Sequence, residues 1–374
     1  MKRRPLFAAA AGVAWLAASN RADARTVSNQ TMVAPLLPDG AIADGTSHPL
    51  SSRFSTLAEA RMVFPAATDL SDELDWCALQ SSIDKARSQR GGAVYVPNNG
   101  RAYILNRTLT VDPNMVTLRG DGSTLRFVGL RDGTAAVLFR ADGPAAYGHE
   151  RHVFEGFELV GPGRDPHVAG LSFRTDIEGL SSRAMIRDCS IHGFFIGVLF
   201  GDRAYGIGFS HASIFDCEFG VHAPYGLKDA GETISFSHCY LFNSGCCVSN
   251  AGGFDMKFFG CSLDYAQRLV WDNNGGIDLI GCRLEIAPPT HPPLHCNGGR
   301  INMFGGFLLI NGPSDAVHLP ELFALTNPAA SIHFFSVTGW NWRTTTGRLT
   351  NGPGKVRWYE GAEITEAPAS IGHP

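Results

Sequence analysis

Three stretches, ISFSHCYL (234–241), MKFFGCSL (256–263) and IDLIGCRL (277–284), share one frame: apolar, any, apolar, any, any, Cys, any, apolar. The same frame fits AMIRDCSI (184–191) and ASIFDCEF (212–219). In INMFGGFL (301–308), Gly306 takes the Cys slot. The steps between the slots are 28, 22, 22, 21 and 24 residues. Each frame holds apolar residues at alternate positions, which is the period of a half-buried strand. A period of two to three dozen residues built on such strands is the pattern of a solenoid, whose coils bury their apolar faces only by stacking on their neighbours. A further coil is expected on either side, at 153–159 and 332–337.

Composition agrees with this and narrows the partners. The 374-residue chain has 43 glycines, which suit a backbone that turns a corner every few residues. The 31 basic and 35 acidic residues give a formal charge of -4, which argues against a nucleic-acid partner held by bulk electrostatics. Residues 1–24 read as an export signal: Lys2, Arg3 and Arg4, then an apolar run from Leu6 to Ala18 too short to span a bilayer, then Ala22-Asp23-Ala24 as a small-residue cleavage site. The Arg3-Arg4 pair also fits a twin-arginine signal. The mature chain is expected to start near Arg25, in the periplasm or secreted, with no membrane span. Nine Cys in an exported protein usually imply disulfides. Here five of them occupy the repeat slot between apolar positions, so buried free thiols packing as small hydrophobes are expected, with Cys246 and Cys247 on opposite faces.

Residues 25–70 read as a polar lead-in. Leu79, Ile83 and Ala86 lie at helical spacing, so a helix is expected over 75–87, capped by Asp72 or Ser71 and stopped by Gly91-Gly92. From here the chain resembles a known family. Asp75-Trp76-Cys77-Ala78-Leu79-Gln80, Ile83-Asp84, Gly91-Gly92, Val94-Tyr95-Val96-Pro97, Tyr103-Ile104, Thr108-Leu109 and Leu118-Arg119-Gly120-Asp121-Gly122-Ser123 resemble the opening module of pectate-lyase-superfamily right-handed parallel β-helices, many phage tailspikes among them. The resemblance implies an all-β solenoid with an N-terminal capping helix over 71–340, and 341–374, with Trp342 and Trp358, as the other cap. It also implies a polysaccharide partner. It leaves lyase, hydrolase, epimerase and plain binding open, and a homotrimer as one assembly. Asp165-Pro166-His167 resembles the start of an alginate C5-epimerase motif, with Val168 where a final acid would stand.

Stacked coils turn the repeat into a map. The slot before Cys holds Asp188, Asp216 and His238, and the slot after it holds Ser190, Glu218, Tyr240, Ser262 and Arg283. Asp188, Asp216, Glu218, His238 and Tyr240 are therefore expected in one catalytic patch. Two stacked carboxylates raise one pKa and make a proton donor, and His238 or Tyr240 supplies a base. Asp188 and Asp216 also suit turns. Asp264 and Glu285 form a second stacked pair, with Arg283 beside it to hold a substrate carboxylate. The preferred reaction is β-elimination on an acidic exopolysaccharide, and paired-carboxylate hydrolysis is the alternative. No cofactor and no metal site are expected. His152, His295 and His318 read as surface or satisfied groups, and Lys257 as the ion-pair partner of Asp278. The slot two before Cys (Phe215, Phe259, Ile280, Phe304) reads as an apolar row, facing either outward or into a bend.

Overall fold

Each repeat makes two short strands separated by a corner, and a third strand closes the coil. In the computed structural model, which describes residues 38–365 apart from 90, 142–151, 175–180, 230, 287–290, 311–320, 341–347 and 360–362, these strands stack in parallel into three walls. Met185–Arg187, Gly208–Ser210, Ile234–Ser237, Met256–Phe259 and Gly276–Ile280 lie in the first wall. Ser190–His192, Ser213–Phe215, Tyr240–Phe242, Ser262–Asp264 and Arg283–Ile286 lie in the second. Ile196–Phe200, Phe219–Ala223, Cys246–Asn250 and Arg268–Asn273 lie in the third. The expected flanking coils are present, at Val153–Val160 and Ser331–Phe335.

The interior is a set of columns. Phe209, Phe236 and Phe258 stack face to face, with centroids 4.6 and 4.7 Å apart and planes within 13°. Buried Asn250 donates to Asn273 Oδ1 (2.9 Å) and also to the Phe254 carbonyl, so a polar side chain inside the coil has its partners. All nine Cys are free and buried, and the Cys239 amide donates to Cys261 Sγ (3.4 Å). Cys247 packs in the central core, while Cys246 lies across the wall beside Arg268. Burial pushes the thiols of Cys189, Cys217, Cys246 and Cys296 up to about 12. Since all nine are buried, a thiol reagent is expected to modify none of them at neutral pH in the folded protein and all nine in denaturant. Fewer than nine in denaturant would mean that disulfides are present.

One expected coil is out of register. Ser213 pairs with Ser190 and with Tyr240, so Ala212 and not Cys217 fills the Cys slot. The inner column runs Cys189, Ala212, Cys239, Cys261, Cys282 and Gly306. Cys217 belongs to the following corner, where its amide donates to Ser244 Oγ (3.3 Å). The true frame is legible in Phe209-Ser210-His211 with Ile214-Phe215, which repeats as Phe236-Ser237-His238 with Leu241-Phe242.

The residue before the Cys slot is left-handed throughout: Asp188, His211 and His238 have φ of 51, 52 and 53°, and Gly260, Gly281 and Gly305 follow at 58, 62 and 63°. Asp and His tolerate this conformation better than most side chains, and Gly does so without strain. The second corner repeats the device at Gly193, Asp216, Asn243 and Tyr265.

The cap helix α2 spans Leu74–Ser88, as the periodicity predicts. Its N-cap is Glu73, not Asp72 or Ser71, and no side chain caps it. Asp72 instead accepts from the Thr68 and Asp69 amides and pairs with Arg107. Trp76 Nε1 donates to the Thr108 carbonyl (3.1 Å), and Gln80 exchanges two hydrogen bonds with the Thr110 backbone, which ties the helix to the first coil. The lead-in is not a loose tail over its described residues. Buried Asp75 accepts from the Ile42, Ala43 and Ile104 amides. Residues Leu57–Val63 form a helix, α1, opened by a capping box between Thr56 and Glu59. That Thr-x-x-Glu spacing is visible in the sequence. Trp342 and His318 lie outside the described residues.

Candidate functional site

The second wall and its two corners carry most of the exposed chemistry. Along the first corner, Asp188, His211 and His238 sit on successive coils. The His211 and His238 rings stack at 5.5 Å and 11°, and His211 Nδ1 lies 4.0 Å from Asp188 Oδ1. Ser210 and Ser237 each hold the ring that follows them (2.9 Å). His211 is the residue missed when Cys217 is taken as the slot.

The expected five-residue patch is not assembled. Asp216 and Glu218 lie past the second wall, at the corner leading to the third. There the Asp216 carboxylate meets Arg164 (3.0 Å), which also donates to the Asn243 carbonyl (2.9 Å). Glu218 lies over Gly245. Asp188 and His238 are two coils apart, with His211 between them. Tyr240 points out of the second wall and is largely exposed. Asp216 thus holds a corner in place through an exposed ion pair, and Asp216→Asn is expected to change kcat/KM by less than about twofold, since such pairs contribute little. A loss of tenfold or more would return Asp216 to the catalytic set.

Asp264, Arg283 and Glu285 do come together. Asp264 and Glu285 are register partners on adjacent strands, one above the other. Glu285 is held at both oxygens: Arg283 donates to Oε2 from Nε (3.1 Å) and lies 3.0 Å away at its terminal nitrogen, and the Tyr265 hydroxyl donates to Oε1 (3.0 Å). Arg283 is therefore committed to Glu285 and does not stand free for a substrate carboxylate. Asp264 has the opposite surroundings. Its Oδ2 accepts from Ser262 (2.6 Å), while its Oδ1 is buried without a partner. Burial, reinforced by the Glu285 charge, raises the Asp264 pKa above the ordinary carboxylate value. The hydrogen bond to Glu285 raises that of Tyr265.

In the same outward row, His192, Phe215 and Phe242 precede Asp264 coil by coil. Their rings stack at 4.6 and 4.8 Å. His192 Nε2 meets Glu158 Oε1 (3.3 Å), and Glu158 Oε2 accepts from Thr124 (2.7 Å). The apolar row read before the Cys slot is real, but it loses Phe215 and runs on through two further coils. Phe259, Ile280, Phe304, Phe335 and Tyr359 share it on the first wall and face outward, whereas Phe215 belongs to the second wall. Asp278 accepts from Asn302 (2.8 Å) and does not pair with its register neighbour Lys257. Asp165-Pro166-His167 lies before the third-wall strand Ala169–Phe173, with His167 against Asp132 and Phe195. His295 packs on Trp271, whose ring also carries the Arg268 guanidinium at 4.1 Å. Among the described residues no group of three or more His, Cys, Asp or Glu side chains is placed to hold a metal ion, and no helix is long and apolar enough to cross a membrane.

No family model and no curated protein matches the chain. Solved structures do. The enzymatically active domain of bacteriophage CBA120 tailspike protein 4 superposes with a TM-score of 0.60 at 17% identity, covering 77% of this chain and 43% of that one. ORF18 of Geobacillus virus E2 gives 0.55 at 14% identity, covering 90% and 62%. This chain thus spans less than two thirds of either protein. An Azotobacter vinelandii mannuronan C-5 epimerase A-module gives 0.48 at 14% identity, covering 90% and 100%. The first two, together with the three stacked walls, establish the fold: the chain is a parallel β-helix of the kind found in phage tailspikes.

Proposed function

We propose that the protein is an exported, carbohydrate-active β-helix that binds an extended acidic polysaccharide along its second wall and hydrolyses it, with Asp264 as proton donor and Glu285 as nucleophile. The observation that carries this reading is the pairing of Asp264 with Glu285. Adjacent parallel strands set the two carboxyl groups roughly 5 Å apart, the separation used by glycosidases that retain anomeric configuration. Their surroundings divide the work. Asp264, with its pKa raised by burial, holds its proton to higher pH than an ordinary carboxyl group and is the acid of the pair suited to donate. Glu285, fixed by Arg283 and Tyr265, presents an oriented carboxylate.

In the first step Asp264 protonates the glycosidic oxygen while a Glu285 oxygen bonds to the anomeric carbon, and the leaving sugar departs as an alcohol. In the second step water attacks that carbon, its proton passes to the Asp264 carboxylate, and Glu285 is released. Hydrolysis is favoured here over β-elimination because elimination needs a free cation for the uronate carboxylate, and Arg283, the cation nearest the acid pair in sequence, is bonded to Glu285. Incubation with acidic polysaccharides is expected to release reducing ends without the absorbance of an unsaturated uronate. That absorbance would overturn the hydrolytic reading in favour of a lyase.

A further inference from the structure

Five coils before Asp264 in the same outward row lies Arg126, next to a feature that hydrolysis does not use. An open cleft of about 490 Å³ lies between the second wall and the lead-in, lined by Asp44, Thr46, Arg101, Arg126, Glu158 and His192. Each acid in it already has partners. Asp44 is bonded to Thr46 and His48, which with the Thr46 amide bring its pKa down to about 2, and Glu158 is bonded to Thr124 and His192. The two guanidinium groups are exposed, and among the described residues neither pairs with a carboxylate. The cleft therefore presents two unpaired forks of N–H donors beside two acids that are each held by hydrogen-bond partners of their own. A guanidinium fork matches a carboxylate at two points.

We propose that this cleft is a distal subsite for a carboxylate-bearing sugar, read by Arg101 and Arg126. Between it and the acid pair the wall offers the edges of His192, Phe215 and Phe242 and the exposed Tyr240, an uncharged track apart from the Glu158–His192 pair. Five strand steps of about 4.8 Å give a span of about 24 Å, which a chain of about five sugars at roughly 5 Å each would bridge. The subsite makes two demands on a substrate: acidic residues, and a length of about six sugars to reach from Arg126 to the cleaved bond. The inference rests on the second wall being the glycan-binding face, but it requires no cleavage.

The test is equilibrium binding by calorimetry, at low and at physiological salt, of hexagalacturonate, hexamannuronate, the corresponding trimers and neutral maltohexaose. The protein is the full chain and its R101A/R126A variant. At least one hexauronide is expected to bind tenfold or more tightly than maltohexaose and than its own trimer. The double variant is expected to lose that preference by about tenfold or more, and salt is expected to weaken it. Both side chains are exposed, so the thermal midpoint of the variant should match the native one and certify its folding. Equal binding by native protein and variant, or no native preference for either hexauronide, would overturn the subsite. Reducing-end release is read separately. Loss of the subsite with hydrolysis intact, or uronide binding without hydrolysis, separates failure of this inference from failure of the hydrolytic one.

Discussion

Asp264→Asn is expected to lower kcat for reducing-end release by about 10²- to 10⁴-fold, the usual contribution of a positioned proton donor. Glu285→Gln is expected to reduce it to background, because an amide cannot form the covalent intermediate. The native pH profile adds a sign. The donor works only while protonated, so activity should fall on the alkaline side as pH rises through the raised Asp264 pKa. Stability changes in the same direction with pH. Asp264 holds its proton more tightly in the folded chain than in the unfolded one. The stability this gives is complete below the ordinary carboxylate pKa and is lost as pH rises through the folded value. Above the folded pKa the half-buried carboxylate is a burden, and there Asp264→Asn is expected to raise the thermal midpoint by about 1–3 °C. A variant that is less stable as well as inactive would show that Asp264 supports the coil and not the chemistry.

The largest loss of stability is expected at Phe236. Its ring is fully buried between Phe209 and Phe258 in the interior column, in van der Waals contact on both faces. Truncation to Ala removes a large apolar group and leaves a cavity that a closed coil relaxes into poorly. The expected cost is about 3–5 kcal/mol. In a stacked repeat the damage also falls on the interfaces with both neighbouring coils. Denaturant unfolding of native and Phe236→Ala protein measures it. A cost under about 1 kcal/mol would mean that the column can be repacked and does not hold the coils in register.

The fold was legible because a strict interior imposes a strict frame. Wherever the Cys slot is filled by Cys239, Cys261 or Cys282, alternation and spacing place the strands to the residue, and the pairing of Asp264 with Glu285 follows from the frame alone. The coil at 208–215 broke the reading because its inner slot accepts Ala212. A chance copy of the same frame, Ala212 to Phe219, straddles the next corner and offers Cys217 in place of the true slot. Periodicity registers which positions are apolar; it does not register which corner a residue turns. The Phe-Ser-His pattern held that information through the aromatic column and the left-handed His that follows it. The cleft at Arg101 and Arg126 was invisible for another reason. One of its banks is lead-in chain, anchored by Asp75 and Glu73 through hydrogen bonds that span about thirty residues and leave no mark on local pattern.

The most direct measurement is the anomeric configuration of the first product, read by proton NMR within the opening minutes of cleavage, before mutarotation mixes the anomers. Two carboxyl groups on neighbouring strands, with Glu285 attacking and Asp264 donating, require the new reducing end to keep the configuration of the bond that was cut. An inverted anomer, or an unsaturated sugar at the new non-reducing end, would contradict the assignment of this pair as the catalytic centre.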